Sequence, residues 1–269
     1  MDGNGTNSPR PPRPAPWLRN DMVTLSDYAG REQSYVKHVF LERYLERLVH
    51  KTASRYPHVV YVDGFAGPWQ SANEKFEDTS FGIALNALRR ARASWKKLDR
   101  DVKMSAFLVE RSQEAYKQLA QVPAKYQDVA IKTCSADFLT VLPDILRDIP
   151  KDAFAFFLID PKGWRIPLKV LAPMLRRLHS EVIFNFKEPA VVTGLNELIP
   201  FGDWRSTLEA AERTRSGALT SEERKAILVD AFAFNLAHYG KYDYVAETTV
   251  LRPVKDRPPL LLVLCNTAS

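Results

Sequence analysis

Between Ser34 and Ala53 apolar residues recur at three- and four-residue steps. Val36, Val39, Phe40, Tyr44, Leu45 and Leu48 fall on one stripe, with charged residues such as Lys37, Glu42, Arg43, Glu46 and Arg47 between them. That period predicts an amphipathic helix. Then the period changes. Val59–Val62 is a short run of β-branched and aromatic residues and predicts a strand. The alternation continues with a helix over Thr79–Ala93, a strand over Met104–Val109 and a helix over Gln113–Leu119. A strand over Val129–Thr133, a helix over Phe138–Leu146 and a strand over Ala153–Ile159 follow, then a helix over about Leu168–Leu178 and a strand over Glu181–Phe186. The run Ala153–Ile159 is almost wholly apolar, as suits a parallel strand covered on both faces.

Strands and helices in strict alternation, with short links, predict an α/β doubly wound sheet. Right-handed crossovers then bring every strand's C-terminal end to one edge, where such sheets bind ligands. After the fifth strand the pattern turns mostly helical from Asn196 to Tyr239, with a helix N-cap expected at Thr220 or Ser221 before Glu222 and Glu223. YVAETTVL (Tyr244–Leu251) and PPLLLVLCNT (Pro258–Thr267), joined by RPVKDR, predict a closing hairpin. The expected fold is therefore a mostly parallel seven-stranded Rossmann-like sandwich ending in an antiparallel hairpin, the layout of class I methyltransferases. In domain terms, residues 1–30 read as a flexible Pro/Arg-rich tail. Residues 31–269 read as one Rossmann-like domain with a helical insertion at about 195–240.

Acidic residues follow the strands. Asp63 ends the first, Glu110 the second and Asp160 the fourth, and Ala136-Asp137 follow the third. Four carboxylates on one rim suit a nucleoside, whose ribose hydroxyls are donors that a carboxylate accepts. Glu110, with Arg111 beside it, is placed to hold ribose. Asp137 is placed to accept from an adenine amine, with Phe138 packing on the ring. Asp63-Gly64-Phe65-Ala66-Gly67 forms the floor, where glycine lets backbone and ligand approach closely. The turn lacks G-x-G-x-x-G, and Pro68 follows it, so the phosphate cradle at a helix N-terminus is missing. That disfavours a dinucleotide and leaves S-adenosylmethionine, which has no pyrophosphate, as the expected cofactor. No G-x-x-x-x-G-K-[ST] or G-x-S-x-G occurs, and the five histidines have no metal-ligand spacing.

The segments YVDGFAGPW, FLVERS, CSADFL and FFLIDPKGWRIPL, in this order and preceded by SYVKHVFLERYL, resemble the three-Cys-motif partner proteins, a bacterial group. The resemblance spans about Ser34 to Phe186 and implies a class I methyltransferase-like fold. It departs at Lys162, where members often carry a bulky apolar residue. It also departs at the end, since members often continue past the hairpin and this chain stops at Ser269.

Asp160-Pro161-Lys162-Gly163-Trp164 is similar to the [DNS]-P-P-[YFW] segment of amino-methyltransferases, with the aromatic displaced by one position. Asp160 is the catalytic candidate. With Pro161 it would orient an amine beside the sulfonium, and Trp164 would stack on the substrate. Lys37, on the first helix, is placed to reach the carboxylate of the cofactor's methionine part. Lys187 is placed to touch an anionic substrate, and the loop from Pro68 to Asp78, with Trp69 and Gln70, to close over the cofactor. The net charge of +6 mildly favours an acidic partner such as nucleic acid, while Arg89-Arg90-Ala91-Arg92 and Arg176-Arg177 read first as solvated helix faces and second as candidate contacts. A protein or peptide is the alternative partner. Two distant cysteines, no signal-like stretch and no long apolar run point to the cytoplasm rather than a membrane. The expected activity is N-methylation of a nucleic-acid base. The alternatives are a catalytically inactive partner protein of the same fold and an enzyme modifying a peptide or protein.

Overall fold

A computed structural model describes residues 32–67, 71, 76–161, 168–187, 220–242, 245–250 and 260–266. The first helix, α1 (Glu32–Arg55), buries Leu41, Leu45, Val49 and Ala53 along one four-residue stripe. It is followed by β1 (His58–Asp63), α2 (Ser80–Lys96), β2 (Lys103–Glu110), α3 (Gln113–Leu119) and α4 (Val122–Lys125). Then come β3 (Ala130–Ser135), α5 (Phe138–Asp148), β4 (Phe154–Ile159), α6 (Leu168–Leu175) and β5 (Ser180–Lys187). A last described helix, α7 (Ser221–Gly240), leads into β6 (Val245–Val250) and β7 (Leu260–Asn266).

The strands form one seven-stranded sheet in the order β3-β2-β1-β4-β5-β7-β6. β1 to β5 are parallel, and β7 runs antiparallel to β5 and β6. This is the mostly parallel, seven-stranded Rossmann-like sandwich with a closing antiparallel hairpin predicted from the sequence. The fourth strand, FAFFLI, is buried throughout, as its apolar run required.

Two apolar layers cover the sheet. Tyr61, Met104, Leu108, Phe156 and Ile183 pack with the buried stripes of α1 and α2. Val60, Val62, Phe157, Val182 and Phe184 pack with Leu142, Leu171, Phe232 and Leu236 from α5, α6 and α7. The chain adds β2 and β3 on one side of β1, then returns to place β4 on the other. The order therefore reverses between β1 and β4, and the crevice beyond the strands' C-terminal ends opens there.

Candidate functional site

Period-two alternation decides which side chains share a face of the sheet. Tyr61 and Phe156 belong to the layer under α1 and α2, so Asp63, two residues beyond Tyr61, falls on that face. The same step places Glu110 after Leu108, Asp160 after Leu158 and Asn185 after Ile183. Asp63 stands opposite Leu108 and Leu158 in the ladder. Glu110 and Asp160 therefore lie one pleat further out than Asp63, on the two strands that flank β1.

Asp63 itself is fully buried. Its Oδ2 accepts from the Tyr61 hydroxyl at 2.9 Å and from Ser80 Oγ at 3.0 Å, and its Oδ1 accepts from the Phe65 N–H at 3.0 Å. Burial is the largest influence on this carboxyl and raises it to about 6, against three hydrogen bonds that favour the charged form. Burial also raises the Tyr61 phenol well above its ordinary value, with Asp63 beside it adding to the effect. The aspartate thus fastens the turn from inside. Two further bonds stitch that turn to its neighbours. The Gly64 N–H donates to the Leu158 carbonyl at 3.2 Å, and the Ala66 N–H donates to the Val109 carbonyl at 2.8 Å. Phe65 and Gly67 complete the turn, both partly exposed.

Glu110 is 5% exposed, and its Oε1 accepts from the Ser112 N–H at 2.6 Å. Asp137 is the N-cap of α5, accepting from the Leu139 N–H at 3.0 Å, and stays open to solvent beside Arg111, whose Nη1 lies 3.8 Å from Oδ2. Phe138 differs from expectation. Its ring is 2% exposed, lies against Gly64 and meets Phe65 at 5.8 Å. An added Cβ on Gly64 would stand 2.9 Å from Phe138 Cγ. The ring supports the turn from beneath.

Across the switch point, Asp160 is held from two sides. Lys37 Nζ from α1 lies 2.6 Å from Oδ2, and Asn185 Nδ2 from β5 donates to Oδ1 at 2.6 Å. Lys37 and Asp160, given separate roles from sequence, are thus one pair, with 18% and 13% of their side chains exposed. Asn185 was missed. Its signal was a lone amide in the apolar run of β5, a position that costs free energy unless the amide is hydrogen-bonded. Pro161 is buried at the end of β4. Trp164, Lys162, Trp69 and Gln70 lie outside the described residues, as does the side chain of Lys187.

The basic clusters are occupied elsewhere. Arg89 pairs with Asp128 at 2.7 Å, Arg90 with Glu46 at 2.7 Å and Arg92 with Asp101 at 3.5 Å. Arg176 donates to the Tyr239 carbonyl, and Arg177 donates to the carbonyls of Pro150, Ala153, Leu178 and His179. These arginines hold the fold together rather than forming a free basic patch. Among the described residues no group of His, Cys, Asp and Glu is arranged to hold a metal, and no helix is long and apolar enough to cross a membrane.

No family model matches the chain, and no curated protein does either. Among solved structures, protein LPL1258 from Legionella pneumophila superposes with a TM-score of 0.52 at 14% identity, over 88% of this chain and 86% of that one. That likeness bears on the fold alone. Looser likenesses include the SAM-dependent methyltransferase from Agrobacterium tumefaciens, with a TM-score of 0.42 and 12% identity over 87% of this chain and 62% of that one. Trm1 from Pyrococcus horikoshii, solved with S-adenosyl-L-methionine, has a TM-score of 0.42 and 14% identity over 86% of this chain and 56% of that one. At such scores neither bears on what this chain does.

Proposed function

We propose that this chain binds S-adenosylmethionine at the switch point between β1 and β4 and methylates an amine nitrogen on a nucleic-acid base. The observation that carries this reading is the sheet order, with the stitched 64–67 turn on one side of the reversal and Asp160 on the other. The donor set fits the cofactor. Glu110 beside the turn suits ribose hydroxyls, and the solvent-open Asp137 next to Arg111 suits an adenine amine. Asp63 and Phe138 serve by holding the turn. Affiliation with the three-Cys-motif partner group rests on the DGFAGP and DPKG segments and their order.

When bound, the cofactor supplies an electrophilic methyl group on a sulfonium. Asp160 accepts a hydrogen bond from the target amine and turns the nitrogen lone pair toward that methyl. Transfer would form the C–N bond as the C–S bond breaks, with the C–S electron pair leaving on sulfur. The product nitrogen then gives its proton to the Asp160 carboxylate and on to water. Positioning carries most of such a reaction, and effective molarity is worth roughly 7–11 kcal/mol. A nucleic-acid acceptor is supported by the net charge of +6 and by the amino-methyltransferase-like DP segment, not by the arginine clusters.

A second reading, a partner protein that keeps the fold without turnover, is favoured by Lys162 and by Gly163 at the place of the usual aromatic. Calorimetric titration with S-adenosylmethionine tests the cofactor. Heat of binding at micromolar to millimolar cofactor is expected, and its absence sinks the proposal. Tritiated-methyl transfer to total RNA, DNA and protein then separates the readings. Label in RNA or DNA supports the proposal, label in protein moves the acceptor class, and binding without transfer leaves the second reading.

A further inference from the structure

The amide of Asn185 carries a cost that its neighbours do not explain. It is 1% exposed, and its Oδ1 is buried without a hydrogen-bond partner. A carboxylate can only accept, so the bond to Asp160 Oδ1 forces the amide nitrogen toward it and turns the oxygen away. A buried acceptor left unmet weakens a fold, and an apolar residue of similar size would carry no such acceptor of its own. The position instead keeps a donor on Asp160. From the opposite side α1 reaches across with Lys37, burying most of a long side chain to put its ammonium on the other oxygen. Two donors from two elements, 148 positions apart by their numbers 37 and 185, fix both ends of one carboxylate at the mouth of the switch point.

We infer that Lys37 and Asn185 are positioning residues for Asp160 that act on the methyl acceptor and not on the cofactor. The inference rests on the proposed methyl transfer and assigns this corner of the site to the acceptor amine. It replaces the expectation that Lys37 binds the cofactor's carboxylate, since its ammonium already sits 2.6 Å from Asp160. Both donors set the plane of the carboxylate. Misplacement of a reacting group by about 1 Å costs about a hundredfold in rate.

The test compares wild type with Lys37→Met, Lys37→Arg and Asn185→Leu, using the full chain. Thermal unfolding comes first, as a check that each variant folds, because Asn185→Leu removes the unmet oxygen but also takes the donor from Asp160 Oδ1. Titration with S-adenosylmethionine is expected to give affinities within about twofold of wild type for all three. Methyl transfer to the accepted nucleic acid is expected to lose about ten- to a hundredfold in kcat in Lys37→Met and Asn185→Leu, with the cofactor KM unchanged. Lys37→Arg, which keeps the charge and the donors, is expected to recover most of it. A tenfold weaker cofactor affinity in Lys37→Met returns Lys37 to the cofactor and overturns the inference, as does an unchanged kcat in either variant. Failure of the wild type to bind or transfer is a different result, since it removes the methyltransferase reading and takes this inference with it.

Discussion

At the scale of single residues, the site is built from carboxylates that do unequal work. Asp63 is spent inside the turn on three hydrogen bonds, while Glu110 gives one oxygen to the Ser112 N–H and is proposed to meet the ribose. Glu110→Ala is therefore expected to weaken S-adenosylmethionine binding at least tenfold, about 1.4 kcal/mol, while the chain stays folded. Calorimetric affinities unchanged by the substitution would remove Glu110 from the cofactor site. Gly64 makes a sharper demand. A methyl there meets three carbons of a buried ring at 2.9–3.1 Å, and Phe138 has no solvent to swing into. Gly64→Ala should cost about 1–3 kcal/mol in urea unfolding, partly recovered by adding Phe138→Leu. A variant as stable as wild type would mean the ring gives way freely. The acids at the strand ends were readable because each follows an apolar run. Their burial was not, because it depends on donors such as Ser80 that only the fold brings near. Nor was the Lys37–Asp160 pair, whose members lie 123 positions apart.

At the scale of elements, the clearest forecast was the start of α7. Thr220 is its N-cap and forms a reciprocal capping box. Its Oγ1 accepts from the Glu223 N–H at 3.3 Å, and Glu223 Oε2 accepts from the Thr220 N–H at 2.9 Å. Thr220→Ala should cost about 1 kcal/mol and speed amide exchange in the first turn of α7. Exchange there unaltered would show that tertiary packing through Phe232 and Leu236 alone sets the helix start. Strands and long helices were legible because their hydrophobic periods are long enough to read. The short α4 was not, being four residues with a proline and no full period. α6 ends at Leu175 rather than near Leu178, and His179 at φ 55° turns the chain into β5. No glycine marks that turn in the sequence. The partners of the arginine clusters were not legible for a related reason, since composition shows a charge but not the acid 39 positions away that pairs with it.

At the scale of the whole molecule, two buried acids tie stability to pH. Burial lifts Asp63 to about 6, and burial alone lifts Glu181 to about 7 from an ordinary 4.5. Glu181 sits at the N-terminal end of β5, 4% exposed, with an Oε1 that has no partner. Both groups hold protons more tightly in the folded chain than in the unfolded one. Their contribution is thus fully present below the unfolded values near 4 and is lost as pH rises through about 6 and 7. At 1.36 kcal/mol per pH unit each group is worth about 3 kcal/mol between those limits. His58, held below its ordinary value mainly by burial, works the other way over part of the window, so the difference between two proteins carries the test. Urea unfolding of wild type and Glu181→Gln from pH 5 to pH 8 should show the two curves separating. The wild type should lose roughly 2–3 kcal/mol more than the variant over that span, because glutamine has no proton to lose. Parallel curves would mean that Glu181 reaches water in the folded chain, and with it that the α1 face of β5 is not sealed at the edge opposite the proposed site.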